Sequence, residues 1–317
     1  MAGSEQRVAV EGRTLKISNL DKVLYPRTGT TKGEVLHYYA QIAPVLLPHL
    51  AGRAVTRIRW PHGVADASFF EKNLPTGAPA WLPRATLTGR GSRGGGETVT
   101  YPLIDGLADL TYLVNLASLE LHVHQWRVRT PASEAPAERL PPDRLVIDLD
   151  PGPGAGLHQC AQVALLVREM LAEHDLACVP VTSGSKGIHL YAALAEGSDA
   201  APARTADEVR DLARSIAQAL ERERGDLVTS TMTKSKRTEK VFLDWSQNTA
   251  AKTTISPYSL RGRDQPLVAA PRTWDEIEEG ADDVMALDQC LWSETLARVA
   301  EHGDLFTLSD RPPGTVA

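Results

Sequence analysis

Three aspartates stand where carboxylates gain most from a shared cation. In Leu145-Val146-Ile147-Asp148-Leu149-Asp150-Pro151-Gly152 an apolar run ends in two acids two residues apart. Residues i and i+2 of a strand share a face. Asp148 and Asp150 therefore project together, while Ile147 and Leu149 point to the opposite, core-facing side. Two neighbouring carboxylates repel each other, and a divalent cation between them relieves that. All-oxygen donors suit Mg²⁺ or Mn²⁺. A second apolar run, Val241-Phe242-Leu243-Asp244, also ends in an acid. A third carboxylate turns a pair into a potential two-metal site. Either motif alone is weak, because glycosyltransferases and phosphohydrolases also use Asp-x-Asp.

The surrounding cations narrow the choice. Ser183-Gly184-Ser185-Lys186-Gly187-Ile188-His189-Leu190-Tyr191 offers small residues whose backbone N–H groups could approach an anion. Lys186 adds a point charge, and His189 lies on the following strand on the face of Tyr191. Such a loop suits a triphosphate. It is not a Walker A loop, since GxxxxGK[ST] is absent. Basic stretches flank Asp244: Lys234-Ser235-Lys236-Arg237 before it and Ser259-Leu260-Arg261-Gly262-Arg263 after it. Acid between bases fits metals that bridge to a polyanion. Further upstream, Phe69-Phe70-Glu71-Lys72 could stack on bases beside a phosphate, although paired aromatics more often pack in a core. Asn19, Lys22 and Lys32 form a polar, basic set that is weak alone.

The elements that must hold these residues follow from apolar spacing. It predicts helices over 31–50, 107–122, 157–173 and 205–222, and one or two acidic helices over 275–300. Short β-branched or apolar runs predict strands at 54–60, 144–150, 177–182, 188–192 and 241–245. The order gives a mixed α+β core whose sheet gathers the polar motifs. Gly91–Gly96 reads as a flexible loop tip. The Pro/Ala/Glu-rich stretch 131–142 reads as a linker between an N-terminal module, 1–130, and a catalytic module, 143–300, followed by a tail, 301–317.

Composition sets outer limits. The 317 residues carry a net charge of −6, which argues against a polyanionic partner until its distribution is considered. Residues 264–317 hold 3 Lys+Arg against 12 Asp+Glu, whereas residues 229–263 hold 7 against 2. The chain can thus meet phosphates through local basic patches. No apolar run reaches the roughly 18 residues that span a bilayer, and the polar N-terminus lacks a signal-peptide layout. Cys160, Cys178 and Cys290 are scattered without a CxxC pair. They read as reduced thiols of a cytosolic protein.

Eight motifs, in one order, resemble the polymerase domain of bacterial ATP-dependent DNA ligase D, within the archaeo-eukaryotic primase superfamily. They are SNLDKVLYP at 18–26, TRIRWP at 56–61, FFEKN at 69–73, LELH at 119–122, DLDPG at 148–152, SGSKGIHLY at 183–191, FLDWSQN at 242–248 and SPYSLRGR at 256–263. The resemblance implies a primase-polymerase fold with a mixed or antiparallel catalytic sheet, an N-terminal α/β module, and nucleotide addition at a primer 3′-OH. It implies two Mn²⁺ or Mg²⁺ ions on Asp148, Asp150 and Asp244. It places Ser183, Lys186, His189, Gln247 and Arg261 around an incoming NTP or dNTP, with ribonucleotides readily accepted. Asn19, Lys22 and Lys32 would hold the 5′-phosphate of a gapped or broken DNA, Phe69 and Phe70 would support the templating base, and Arg237 would serve the primer strand. Ku and a separate ligase are the expected partners of a monomeric, cytoplasmic repair enzyme.

Two departures accompany the resemblance. Ile58 stands where relatives often carry a basic residue, and no ligase-type KxDG site is present, so the chain reads as a stand-alone relative. Short-gap filling is then as natural a role as end joining. The rival readings are a metal-dependent phosphohydrolase, a nucleotide-sugar glycosyltransferase and a non-catalytic DNA-end scaffold. A dehalogenase-type DxDx[TV] loop is excluded by Pro151-Gly152-Pro153. The intact carboxylate set disfavours a scaffold, and a glycosyltransferase has no need of the basic, aromatic N-terminal segment.

Overall fold

The computed structural model describes residues 5–90, 96–130, 135–195, 197 and 203–308. Most of the glycine-rich tip at 91–96, the first part of the 131–142 stretch and the end of the 301–317 tail lie outside them. The chain divides into two compact units. The first comprises residues 1–140, 258–268 and 291–303; the second comprises 141–257, 269–290 and 304–317. A break near residue 140 falls inside the expected linker. Beyond it the chain returns twice to the first unit, which no compositional shift foretells.

In the first unit, Lys32–Leu50 forms the long helix. Thr31 caps it: its Oγ1 accepts from Glu34 N at 3.3 Å, and Glu34 Oε2 accepts from Thr31 N at 2.7 Å. Such a reciprocal box is worth about 1 kcal/mol. The helix buries Val35, Tyr38, Tyr39, Ile42 and Leu46. Val55–Arg59 pairs antiparallel with Phe69–Glu71 on one side and Ser118–Val123 on the other. The single helix expected over 107–122 is in fact a helix, Leu107–Asn115, and then this strand. Ala117, at φ 61°, turns the chain between them. Leu119, Leu121 and Val123 then alternate at the strand period, and the open edge of Val55–Arg59 supplies the hydrogen bonds that decide the outcome.

Several strands escaped the apolar patterning. Glu5–Val10 and Arg13–Ser18 form a hairpin, with Glu11 and Gly12 both at positive φ in its turn. Glu11 Oε2 accepts from Ala108 N at 2.9 Å, so it caps the Leu107 helix where Gly106 has no side chain to do so. Arg84–Arg90 and Gly96–Pro102 form a second hairpin. The expected linker itself contributes a strand, Glu138–Pro142, that pairs with Trp126–Arg129.

The second unit is a six-stranded sheet. Its spatial order is Val228–Thr229, Val241–Asp244, Arg144–Pro151, Ile188–Ala193, Cys178–Thr182 and Ala270–Pro271. All pairs are antiparallel except the first, which is parallel. Leu145, Ile147, Leu149, Ile188, Leu190 and Leu243 pack in one core with residues of the helices Leu157–Ala172 and Ala206–Glu223. Their alternate neighbours therefore face away from those helices. The acidic segment splits into Trp274–Asp282 and, in the first unit, Trp292–His302. The start of the expected tail is packed, since Phe306 is buried with its ring 5.1 Å from that of Tyr191. The three cysteines are buried. Among the described residues no helix is long and apolar enough to cross a membrane.

Candidate active site

The sheet brings the acids together through register. Asp148 stands directly opposite Asp244 on one neighbouring strand and opposite His189 on the other. Cross-strand partners share a face, so Asp244, Asp148 and His189 form a row across three strands. Asp150 follows two residues along the central strand on the same face. Asp148 and Asp244 are buried, and the His189 Nε2 lies 3.3 Å from Asp148 Oδ1. Tyr191 Oη lies 3.3 Å from the other ring nitrogen of His189 and donates to the Ile255 carbonyl at 3.2 Å.

The turn after Asp244 completes the row. Residues Trp245–Asn248 form a short 3₁₀ helix. Asp244 Oδ1 accepts from Ser246 N at 3.0 Å. Gln247 Nε2 donates to Asp244 Oδ2 at 3.0 Å and to Asp148 Oδ2 at 3.3 Å, bridging the two carboxylates. Lys252 Nζ sits 3.4 Å from Asp244 Oδ2 and donates to Ser246 Oγ. Asn248 pairs with both backbone groups of Val146, at 2.9 and 2.7 Å, and so fixes the central strand two residues before Asp148. Ser246, Asn248 and Lys252 were not singled out from sequence. The first two lie inside FLDWSQN, where the carboxylate drew the attention. Lys252 carries no pattern that would find it.

The electrostatics of the row are incomplete. Asp150 is accessible on its surface, yet the surrounding protein withdraws it from bulk water, and its pKa is pushed up to about 6. Loss of hydration is the main cause. Repulsion from Asp148 and Asp244 adds to it, and His189 and Arg237 oppose it. Among the described residues no three His, Cys, Asp or Glu side chains are gathered closely enough to hold an ion as they stand. The donor set nonetheless fits hard divalent cations: three carboxylates on one face, two of them facing each other across a strand pair, with Gln247 and Lys252 occupying oxygens that an ion would take.

Beside the row, Ser183–Gly187 makes a closed turn. Ser183 N donates to the Gly187 carbonyl at 2.9 Å, and Ser183 Oγ accepts from Ser185 N and Gly187 N at 3.3 and 3.2 Å. Ser183 thus ties the amides of Ser185 and Gly187 into the loop and holds its shape. Gly187 is required, since a Cβ there would meet the Leu149 carbonyl at 1.9 Å. Lys186 is exposed. With Ser185, Gln289 and residues 151–157 it lines a cleft of about 570 Å³. The N-terminus of the Leu157–Ala172 helix opens there. Arg237 is docked close to the acids: its guanidinium lies 3.5 Å from the ring centre of Phe242, the cross-strand partner of Asp150. Its carbonyl abuts Gly152, where a Cβ would approach to 1.8 Å.

The remaining candidates lie in the first unit. Asn19, at φ 57°, starts a tight turn in which Lys22 N donates to the Asn19 carbonyl and Lys32 N to the Lys22 carbonyl. Lys32 is buried, donates to the Ser18 carbonyl at 2.6 Å, and has its pKa lowered to about 8 by burial and by Lys22. A buried ammonium beside a second cation calls for an anion. Phe69 and Phe70 are 51% and 58% exposed, so they are not core residues. Arg261 donates from Nη1 to Glu120 Oε2 at 3.0 Å. The second unit thus gathers Asp148, Asp150, Asp244, Ser183, Lys186, His189, Gln247 and Arg237. Arg261, Asn19, Lys22, Lys32, Phe69 and Phe70 belong to the first.

The family described as "LigD, primase-polymerase domain" matches residues 31–306. The chain is 50% identical over 296 residues to the multifunctional non-homologous end joining protein LigD of Mycolicibacterium smegmatis, covering 93% of this chain and 36% of that protein. Identity to the LigD DNA repair protein of Mycobacterium tuberculosis H37Rv is 48% over 309 residues, covering 98% and 38%. The chain thus spans little more than a third of these relatives. The polymerase domain of M. tuberculosis ligase D, solved in complex with DNA, superposes with a TM-score of 0.84 at 49% identity, over 92% of this chain and 96% of that one. The chain belongs to the LigD primase-polymerase family.

Proposed function

We propose that the chain extends a primer 3′-OH in short gaps or at broken DNA ends, with Asp148, Asp150 and Asp244 holding two divalent cations, Mn²⁺ or Mg²⁺. The observation that carries this reading is the in-register row Asp244–Asp148–His189, with Asp150 on the same face. When bound, such ions lower the pKa of the attacking hydroxyl and offset charge on the transferred phosphoryl group. The chain's own residues orient the rest. Asn248 fixes the strand under Asp148, and Gln247 holds Asp148 and Asp244 at a set spacing. Lys186, His189 and Arg261 supply positive charge for the triphosphate, and Ser183 keeps the Lys186 loop in shape.

Asn19, Lys22 and Lys32 form the site for a downstream 5′-phosphate. The exposed Phe69 and Phe70 are a stacking surface for template bases, and Arg237 meets the primer strand. Ribonucleotides are accepted alongside deoxyribonucleotides. The place of work is the cytoplasm, with Ku and a ligase activity as partners in end joining.

Primer extension on a 5′-phosphorylated gap tests the reading. Asp148→Ala should lower the rate by about a thousandfold or more, with DNA affinity kept within about twofold. Extension by Asp148→Ala near the wild-type rate would remove the assignment. Nucleotide hydrolysis without primer growth in the wild type would favour a phosphohydrolase instead.

A further inference from the structure

The edge of the four-stranded sheet carries a pocket that nothing above employs. Phe69–Glu71 is the edge strand there. Beside it lies a cavity of about 500 Å³ with Arg59, Phe70, Glu71, Lys72, Asn73 and Leu116 in its wall. All of these residues belong to the first unit. Glu71 Oε1 accepts from Arg59 Nη1 at 2.7 Å, and its Oε2 lies 3.1 Å from Arg57 Nη2. One carboxylate thus answers two guanidiniums. Lys72, with its Nζ 6.0 Å from the centre of the Phe70 ring, adds a third cation. Three positive charges around one negative charge leave the wall short of an anion.

Arg57 sharpens that deficit. Its side chain is fully buried, and Nη2 donates to the Asn73 carbonyl at 2.6 Å. Its Nε and Nη1 are buried without an acceptor among the described residues. Burial lowers its pKa to about 10, so it stays charged at neutral pH. Orphaned buried donors in a folded chain call for an explanation. An anion in the cavity would lower the cost of holding three cations around Glu71.

The walls are fixed from several elements. Arg59 Nε donates to the Leu116 carbonyl at 2.7 Å, and Leu74 N donates to the Thr100 carbonyl at 2.6 Å. Asn115, next to Leu116, accepts from Ser18 N at 3.4 Å and donates to the Lys16 carbonyl at 3.0 Å. The Ser18 carbonyl is in turn the acceptor of Lys32 Nζ. One corner, the end of the Leu107–Asn115 helix, therefore supports both this pocket and the Asn19, Lys22 and Lys32 set. The pocket wall is chemically mixed, with cations that suit a phosphate and the exposed Phe70 ring that suits a base.

We propose that this pocket holds a backbone phosphate of the unpaired template strand, on Arg59 and Lys72 in front of the Arg57–Glu71 pair. This rests on the reading of the chain as a binder of gapped DNA with Phe70 as a stacking surface. A base offers its face to a side chain only where it is unstacked, and opposite a gap the unpaired strand is the template. Ion pairs with a purely structural role would make the affinity for DNA indifferent to the charge of any one template phosphate.

The test is equilibrium binding of gapped DNA whose template phosphates opposite the gap are replaced one at a time by neutral methylphosphonates. The proteins compared are the wild type, Lys72→Met, Arg59→Gln and the double variant, and the same scan through the primer and downstream strands is the control. In the wild type one template replacement should weaken binding by about tenfold, the scale of a lost hydrogen bond to a charged group. That replacement should cost about threefold or less in either single variant, because both changes remove part of one contact. In the double variant it should cost nothing measurable. The slope of log affinity against log salt should flatten by about 0.7 in Lys72→Met, as for one contact to a single strand. Template penalties that the double variant leaves undiminished overturn the proposal. So does relief that appears only for replacements in the primer or downstream strand. Should Arg59→Gln fail to fold, Lys72→Met decides by the same criterion. A wild type that does not bind gapped DNA removes the proposed function and this inference together. A wild type that binds and extends the gap, with an affinity that no template methylphosphonate alters, removes this inference alone.

Discussion

Two groups of buried or half-buried carboxylates occupy this molecule, and their surroundings are opposite. Glu120, in the first unit, is matched by His122, Arg261 and the Gly262 amide. Burial alone would raise its pKa, yet these donors hold it down at about 2. Asp150, in the second unit, faces Asp148 and Asp244 and is pushed up to about 6. Glu120 is fully matched by its donors, whereas at Asp150 burial and the neighbouring acids outweigh the nearby His189 and Arg237. A folded chain keeps such a deficit where a ligand supplies the missing charge. On the proposed function, the difference separates a carboxylate matched by its own protein from carboxylates that would take up ions.

The largest effect should come from breaking the unfinished set. Asp244→Asn keeps the shape of the row and removes a charge, and extension should drop by about a thousandfold in a single-turnover assay. Stability is where the two groups part. Glu120→Ala strands the partly buried Arg261 guanidinium and the Gly262 amide and should cost about 3–5 kcal/mol, read by denaturant unfolding at neutral pH. Because its folded pKa is depressed, that stabilisation is present above about pH 4.5 and is lost as the pH falls through about 2.

Asp150→Asn should act with the opposite sign. A folded pKa raised above the unfolded value makes the ionised carboxyl a liability above about pH 6 and none below about pH 4. In metal-free buffer the substitution should raise the melting temperature at pH 8 by only ~1–2 °C, since solvent screens an accessible carboxyl, and should not raise it at pH 4. A lowered melting temperature at pH 8 would erase the contrast with Glu120.

The first unit offers a parallel case among cations. Lys32 is buried beside Lys22, with its pKa lowered to about 8. Lys22→Ala should reduce the preference for a 5′-phosphorylated gap by about tenfold, the scale of one charge-assisted contact, in competition binding against the unphosphorylated gap. The smallest effect is expected from Lys252→Met. It removes the ammonium that occupies Asp244 Oδ2, and Mn²⁺ affinity should tighten by about threefold, the scale of one exposed ion pair.

How much of this was legible in the sequence depended on the range of the interaction. Asp148 and Asp150 share a face by strand geometry alone, and the capped helix at Thr31 follows from local residue types. That Asp148 meets Asp244 and His189 in one row depends on strand register over nearly a hundred residues, and no local pattern encodes it. The 107–122 segment shows the same limit. Its apolar spacing satisfies a helix, while the edge of Val55–Arg59 makes its last part, from Ser118 on, a strand. For Ser183 the resemblance implies a triphosphate contact, and the fold adds a second use that no local pattern encodes: its hydroxyl accepts from two amides of its own loop. Phe69 and Phe70 read more readily as core, and their exposure shows otherwise. Glu120 was passed over because a single acid on an apolar strand has no signature until Arg261, 141 positions on, folds against it.

The most direct test of this account is Mn²⁺ binding followed by the loss of the free-ion EPR signal, in the wild type and in Asp148→Asn, at pH 7.5 without DNA. The wild type should bind Mn²⁺ saturably, and the variant should lose at least about tenfold in affinity, the scale of one removed carboxylate ligand. Equal binding by the two proteins would contradict the assignment of the Asp148, Asp150 and Asp244 row as the metal-holding centre.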